Sequence, residues 1–315
     1  MEIFMKNYKL TEISFPSADE KHTIYGEIYE PLSGEVRGVV QLAHGMTDYV
    51  ARYEWLASAL TDAGYVFAGH CHLGHGKSAG REEDLGYFAK KNGISLLLSD
   101  MHRMNKLLRG TYPTKPIIVL GHSMGSFIAR LYTAQHPHHM DACVILGTGG
   151  KNPLQPLGVG LCSLLSLFMG DRHRSALISG MSTGRYKKMF PGEGTTAWLT
   201  RDPARVGTYK TDPYCSVTFT LSAYRDLFRM LGACNSNRWY KAYPKNMPTL
   251  LMSGDKDPVG DFGKGVNEVY RKMLLAGCSQ VSMKLYEGAR HELFNETNRE
   301  EFAEDLCRFL ESVAK

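Results

Sequence analysis

Apolar residues occur along the chain in two alternating patterns, short continuous runs and longer stretches with helical spacing. The runs at 38–45, 65–71, 116–121, 142–147 and 248–254 are almost wholly apolar, as expected for strands buried on both faces of a sheet. Between most of them, apolar residues recur every three or four positions, which predicts amphipathic helices. This alternation indicates an α/β fold with a mainly parallel sheet and helices on both faces.

Two segments depart from the alternation. The runs at 9–15 and 22–30 have strand-like composition and are separated by a turn-rich segment, so they predict an antiparallel N-terminal hairpin. Residues 150–243 are rich in glycine, proline, methionine and aromatic residues, and we expect them to form a mostly helical inserted cap, or lid. The α/β core is then predicted to comprise residues 1–149 and 244–315.

Composition and charge exclude several classes of protein. The 37 Lys and Arg against 32 Asp and Glu give a net charge of +5 without a concentrated basic block, so a nucleic-acid partner is not expected. The first 15 residues lack the apolar core of a secretory signal, and the apolar stretch 154–169 is too short and too interrupted to be a transmembrane segment. The seven cysteines form no C-x-x-C pair, which predicts a cytoplasmic protein without a disulfide framework.

The sequence Gly-His-Ser-Met-Gly at 121–125 is a G-x-S-x-G motif between a predicted buried strand and a predicted helix. A sharp strand-to-helix turn requires small flanking residues, because a Cβ would collide with neighbouring backbone, and it lifts the serine hydroxyl clear of the sheet. Ser123 is therefore predicted to be a nucleophile. In such enzymes the residue after the nucleophile supplies one backbone N–H to the oxyanion, here Met124.

A serine nucleophile needs a base, because its hydroxyl is almost wholly protonated at neutral pH. His291 follows the last predicted strand and fits the chain order Ser…Asp…His. The turn after the strand 248–254 offers Asp255, Asp257 and Asp261 as the third member. We prefer Asp257, which two residues separate from Gly254, and expect Asp255 to cap its own turn and Asp261 to cap the following helix.

The second oxyanion donor is expected from the loop after an early strand. Gly45 permits an unusual backbone there, and Met46 supplies the N–H. His44 precedes the serine in the chain, so we expect it to support this loop by hydrogen bonding rather than to act as the base.

Several segments, taken together and in order, resemble the α/β-hydrolase superfamily, and within it the monoacylglycerol lipase, lysophospholipase and serine aminopeptidase-like group. The matching segments are 44–65, 72–78, 121–130, 253–259 and 286–292. The resemblance implies an α/β-hydrolase fold and a variable cap in the inserted stretch. The chain departs from the family at Cys71 and Leu73, where members often carry Asp and Arg.

A rival interpretation comes from His70, His72 and His75, whose H-x-H-x-x-H spacing resembles a zinc-binding run. The carboxylate usual before the third histidine is absent, so neither a metal nor another cofactor is predicted. The chain is instead predicted to be a serine hydrolase of small carboxylic esters, with mono-acyl lipids as preferred substrates and transient contact of the cap with a membrane surface. An aminopeptidase of the proline-iminopeptidase type is the alternative, and a non-catalytic binding protein is less favoured. Oligomeric state, acyl-chain length and head group are not predicted.

Overall fold

An eight-stranded sheet forms the centre of the computed structural model, which describes residues 7–215 and 217–314. The strands are β1 (Tyr8–Pro16), β2 (Thr23–Pro31), β3 (Gly38–Ala43), β4 (Tyr65–His70), β5 (Ile117–His122), β6 (Ala142–Leu146), β7 (Thr249–Gly254) and β8 (Val281–Tyr286). Their order in the sheet is β1-β2-β4-β3-β5-β6-β7-β8. Residues 1–6, which begin the segment considered for a secretory signal, lie outside the described residues.

The direction of the strands agrees with the predicted fold class. β1 and β2 form the predicted antiparallel hairpin, and β2 also runs antiparallel to β4. The pairs β3–β4, β3–β5, β5–β6, β6–β7 and β7–β8 are all parallel. The carboxyl ends of β3, β5, β7 and β8 therefore meet at one edge of the sheet, where ligands of open α/β sheets bind.

Helices cover both faces of the sheet. They are α1 (Glu54–Asp62), α2 (Gly93–Thr111), α3 (Met124–Gln135), α4 (Gln155–Met169), α5 (Ala176–Met181), α6 (Pro203–Thr211), α7 (Leu221–Cys234), α8 (Asn237–Ala242), α9 (Lys264–Leu275) and α10 (Arg299–Val313). The apolar residues of α1 and α10 pack in one cluster, and those of α3, α7 and α9 pack in another. Within the described residues, no helix is both long and apolar enough to cross a membrane.

Burial of the central strands explains their continuous apolar sequence. Every residue of β5 is buried, and its side chains alternate between the two clusters, with Ile118 and Leu120 on the α1 face and Val119 on the α3 face. Each such side chain contributes about 1.5–3 kcal/mol when it is fully removed from water. The sheet is consequently a rigid base for the loops at its carboxyl edge.

Helices α4 to α8 occupy the chain between β6 and β7, where an inserted helical cap is predicted. They are packed to different extents. α7 and α8 contribute Met230, Trp239 and Tyr240 to the same cluster as α3, whereas α6 has no buried residue. The boundaries predicted for the core and the cap remain predictions.

Candidate active site

Ser123 lies at the sharp turn between β5 and α3. Its backbone has φ 56° and ψ −121°, a combination that non-glycine residues rarely adopt. A Cβ on Gly125 would lie 1.9 Å from the carbonyl oxygen of Ala43, and one on Gly121 would lie 2.3 Å from that of Gly125. Neither distance is tolerable, so both glycines of the motif are required by the close approach of neighbouring backbone.

Hydrogen bonds hold the turn in this strained conformation. The backbone N–H of Ser123 donates to the carbonyl of Leu146 at 3.0 Å, and the N–H of Ser126 donates to the carbonyl of Ser123 at 2.9 Å. The hydroxyl of Ser126 also binds the hydroxyl of Thr148 at 2.8 Å. These hydrogen bonds stabilise the strained backbone of Ser123. Such strain is common at the reactive residues of active sites.

His291 and Asp257 are hydrogen-bonded to each other below the surface. Nδ1 of His291 lies 2.9 Å from Oδ2 of Asp257, and both side chains are buried. The carboxylate also accepts from the backbone N–H of Val259 at 2.8 Å and from the hydroxyl of Ser253 at 3.3 Å. These contacts fix the carboxylate and, through it, the orientation of the imidazole ring.

The other two aspartates of this turn have different environments. Asp255 accepts a hydrogen bond from the backbone N–H of Gly288 at 2.8 Å. It therefore caps the turn after β8, whereas the sequence predicts that it caps its own turn. The prediction that Asp261 caps the following helix is wrong, because α9 begins at Lys264 and its N-cap residue is Gly263. Of the three carboxylates considered, the structure joins Asp257 to His291.

The environment of His291 favours its protonated form. Burial alone lowers the pKa of His291, but the charge and hydrogen bond of Asp257 outweigh burial, and the net pKa is raised above the ordinary value of 6.5. The raised pKa makes the imidazole a stronger base than a solvent-exposed histidine. Trp198 packs beside the ring, with centroids 5.2 Å apart, and shields it from water.

A cavity of about 710 Å³ opens above these residues. Ser123, His291, Met46 and Met124 all line it, so the structure brings the predicted nucleophile, base and oxyanion donors to one space. Its apolar lining includes Phe127, Leu154, Leu227, Phe228, Leu231 and Val259. The volume is typical of a small-molecule site.

His44 supports the loop that carries Met46. The backbone N–H of His72 donates to Nε2 of His44 at 2.9 Å, so the proton of this ring is on Nδ1, which lies 2.9 Å from the carbonyl of Gly45. Burial lowers the pKa of His44 to about 3, which keeps the ring neutral and preserves both bonds. The predicted hydrogen-bonding contact is present.

Sequence reasoning missed a buried ion-pair network beside the site. Arg52 binds Asp48 at 2.8 Å and Glu292 at 2.9 Å, and Tyr53 donates to Asp48 at 2.7 Å. Burial raises the pKa of Asp48, but the charge of Arg52 and smaller contributions from other neighbouring groups together outweigh burial and hold that pKa at about 2. The network ties the loop of Met46 to the residue after His291. The four-residue spacing of Asp48 and Arg52 is the one signal that could have revealed it.

The H-x-H-x-x-H run does not form a metal-binding geometry. His70, His72 and His75 are buried, but their ring nitrogens do not gather within ligand distance of one another in the described structure. The departures from the family pattern have a packing explanation, because Cys71 and Leu73 are buried in the two apolar clusters. Both side chains therefore make apolar contacts at these positions.

Comparison with known proteins adds a second, independent line of evidence. A family profile described as serine aminopeptidase, S33 (Hydrolase_4) matches residues 34–298. The chain belongs to this family. It is a serine hydrolase of the ester-cleaving class, and the predicted family resemblance, fold class and enzyme class are confirmed.

Individual relatives of this serine hydrolase are similar over nearly their whole length. The monoacylglycerol lipase of Mycolicibacterium smegmatis is 27% identical, with 96% of this chain and 97% of the relative covered. Human monoglyceride lipase is 26% identical, with 91% and 88% covered. The crystal structure of a thermostable carboxyl esterase from Bacillus coagulans, in complex with glycerol, has a TM-score of 0.90 and 28% identity, with 97% and 99% covered.

Proposed function

We propose that this hydrolase cleaves mono-acyl lipid esters of the monoacylglycerol type, with Ser123, His291 and Asp257 as its catalytic triad. The observation that carries the proposal is the buried hydrogen bond between His291 and Asp257 beside a cavity that Ser123 also lines. Such a triad consists of a serine on a strained turn, a histidine that acts as its base, and a carboxylate that is hydrogen-bonded to the histidine.

The proposed reaction begins when the hydroxyl oxygen of Ser123 attacks the ester carbonyl carbon while His291 accepts the hydroxyl proton. Asp257 holds the proton on Nδ1 of the imidazole, so that Nε2 is the basic nitrogen. The backbone N–H groups of Met46 and Met124 stabilise the oxyanion. His291 then donates its proton to the departing alcohol, which leaves an acyl-serine.

The second half of the reaction repeats these steps with water. His291 removes a proton from a water molecule, which attacks the acyl carbonyl and forms a second oxyanion. Collapse of this intermediate releases the fatty acid and returns the proton to Ser123. All groups in this scheme belong to the chain, so the proposed chemistry requires no metal or other cofactor.

The lining of the cavity supports an ester with one acyl chain. Its apolar residues suit a hydrocarbon tail, while Lys151 and Asn152 at the same cavity offer hydrogen-bonding groups to a small polar head. The curated relatives named above are monoacylglycerol and monoglyceride lipases, and the similar esterase was crystallised with glycerol. These likenesses favour a glycerol head group.

The aminopeptidase alternative requires a carboxylate that is free to bind a substrate amine. Asp48 and Glu292 line the described part of the cavity, but both are already paired with Arg52. Glu268, a third acidic residue there, is paired with Lys272, whereas the fourth, Asp261, is exposed and has no ion pair in the described structure. Three of these four carboxylates are already engaged, which favours an ester substrate, and Asp261 is the carboxylate that a substrate amine could still reach. The cytoplasmic location stays a prediction.

A substrate panel tests the proposal. We expect kcat/KM for monoacylglycerols to exceed that for lysophospholipids by at least tenfold and that for aminoacyl anilides by at least a hundredfold. The reason is that the latter two substrates carry charged groups, which must be desolvated on binding. Preincubation with EDTA should leave these rates unchanged. Preference for an aminoacyl anilide would establish the aminopeptidase alternative instead.

A further inference from the structure

Three histidines form a cluster on the side of the molecule that carries α2 and α3. His102 lies on α2, His136 follows the last residue of α3 as its C-cap, and His139 lies in the next turn. One ring nitrogen from each lies within 4.8 Å of the other two. Within residues 7–215 and 217–314, it is the one group of three or more His, Cys, Asp or Glu side chains that converges in this way.

The rings are arranged around a partly solvent-accessible space. His102 and His136 have centroids 4.4 Å apart, and His139 stands nearly perpendicular to His102 at 4.7 Å. Nδ1 of His102 lies 3.0 Å from the hydroxyl of Tyr132, whose side chain is buried. A metal-ligating histidine characteristically uses its second ring nitrogen for such a bond, which leaves Nε2 of His102 available to a ligand.

The position of the cluster also suits a cation. It lies at the C-terminus of α3, where unsatisfied carbonyl groups place partial negative charge.

We propose that His102, His136 and His139 bind a zinc ion, each through one imidazole nitrogen. Zinc accepts three histidine ligands at about 2.0–2.1 Å and completes its tetrahedron with water, which places ligand nitrogens about 3.4 Å apart. The three side chains are only half-buried, so we expect their rings to rotate on binding and close the remaining gap. The twelve-residue α3 is about 18 Å long, so the ion is far from Ser123 and joins α2 to α3 without entering the reaction.

Calorimetric titration of the untagged, EDTA-treated protein with Zn²⁺ tests the site, since a polyhistidine tag would itself bind the ion. We expect one equivalent to bind to the wild-type protein. His102→Gln, His136→Gln and His139→Gln should each weaken binding by at least tenfold. His138→Gln is the matched control, because His138 is exposed in the same turn and is not part of the cluster. It should bind like wild type.

Two further measurements separate a metal site from a structural cluster. Zn²⁺ should raise the Tm of the wild-type and His138→Gln proteins but not that of His136→Gln, because binding to the folded state alone stabilises it. Tyr132→Phe removes only the hydroxyl that orients His102 and should weaken binding about tenfold. Absence of binding would overturn the proposal, and so would equal binding by wild type and all three cluster variants, because the ion would then bind elsewhere on the protein.

Discussion

Two regions around the cavity are built in opposite ways. The elbow region, defined as Ser123 with the loops 44–48 and 289–292, is crowded and buried, and a Cβ on Gly125 would overlap the backbone of Ala43. The α4–α6 segment, residues 155–211, is largely exposed, and a Cβ on Gly160 would meet nothing within 4 Å. The same amino acid is obligatory in one region and replaceable in the other.

The apolar side chains show the same contrast. Met124 is 1% exposed at the elbow, whereas Phe168 and Leu167 at the end of α4 are 82% and 80% exposed. Dense packing and buried hydrogen bonds hold donors and acceptors in fixed positions, which electrostatic catalysis requires. A helix with few buried contacts has low local stability and an adaptable surface. Under the proposed function, the first region would carry out the chemistry and the second would admit the substrate.

The largest expected effect comes from the carboxylate of the elbow region. Asp257→Asn should lower kcat for a short-chain ester by about 10³–10⁴, because the amide no longer holds the correct imidazole tautomer. It also removes the charge that raises the pKa of His291, so the acid limb of the pH–rate profile should move to lower pH. Asp255→Asn is the matched control and should retain nearly full kcat.

Thermal unfolding of both aspartate variants should be measured in parallel. Asp255→Asn weakens the hydrogen bond that the N–H of Gly288 donates, which is worth about 1 kcal/mol of stability, and removes an exposed ion pair with Lys256. An inactive Asp255→Asn beside a nearly wild-type Asp257→Asn would show that the wrong carboxylate of this turn has been assigned to His291.

The next largest effect is expected from one alanine placed in each region. Gly125→Ala should destabilise the protein by about 3 kcal/mol or more, since backbone at 1.9 Å cannot yield as a flexible side chain would. Gly160→Ala, in α4, should stabilise it by about 0.5–1 kcal/mol, because alanine favours the helix and restricts the unfolded chain. Denaturant unfolding measures the free energy of unfolding of both variants. Equal changes in the two variants would contradict the contrast between the two regions.

A smaller effect concerns a buried histidine near the elbow region. Burial lowers the pKa of His70 to about 4, and neither of its ring nitrogens has a hydrogen-bond partner. The unfolded chain binds a proton near pH 6.5 while the folded chain does not, so this group makes stability fall as the pH decreases from 6.5 towards 4. His70→Phe should reduce the loss of stability between pH 7 and pH 5 by about 2 kcal/mol.

The comparison of two pH values isolates protonation, because any change in packing caused by His70→Phe is present at both. His138→Gln, at an exposed histidine, serves as the control and should leave the pH dependence as in the wild type. An unchanged slope in His70→Phe would mean that this ring is protonated as readily in the folded protein as in the unfolded chain.

The smallest effect on stability is expected at the exposed end of α4. Phe168→Ser should change the free energy of unfolding by less than about 0.5 kcal/mol, as for other exposed positions. If the α4–α6 segment contacts lipid, the variant should raise KM several-fold for a monoacylglycerol presented in micelles and leave hydrolysis of a soluble short-chain ester unchanged. Equal KM values of the wild-type protein and Phe168→Ser for the micellar substrate would contradict the proposed lipid contact.

Sequence reasoning succeeded where local chemistry leaves few alternatives. The continuous apolar runs predicted central strands. The two glycines that flank Ser123 predicted a sharp turn with no room for a side chain at their positions. The contact of Asp257 with His291 was also predictable, because the carboxyl ends of β7 and β8 meet at one edge of the sheet. In each case the position in the chain already restricts the geometry.

Contacts between distant segments were not predictable in the same way. Arg52 and Glu292 are far apart in the chain, and no local sequence pattern predicts that their side chains form a buried ion pair. The same holds for Trp198, which contacts His291 from a turn before α6. The cluster of His102, His136 and His139 likewise depends on how α2 packs beside α3, which periodicity alone does not determine.

The most direct test of the account is covalent labelling of Ser123 together with its removal. A fluorophosphonate should modify the wild-type protein once, with the added mass on the peptide that contains Ser123, and labelling should abolish ester hydrolysis. Ser123→Ala should remain folded, resist labelling and lose about 10⁴–10⁶ of kcat. Labelling at a different residue, or near-wild-type hydrolysis by Ser123→Ala, would contradict the proposed nucleophile.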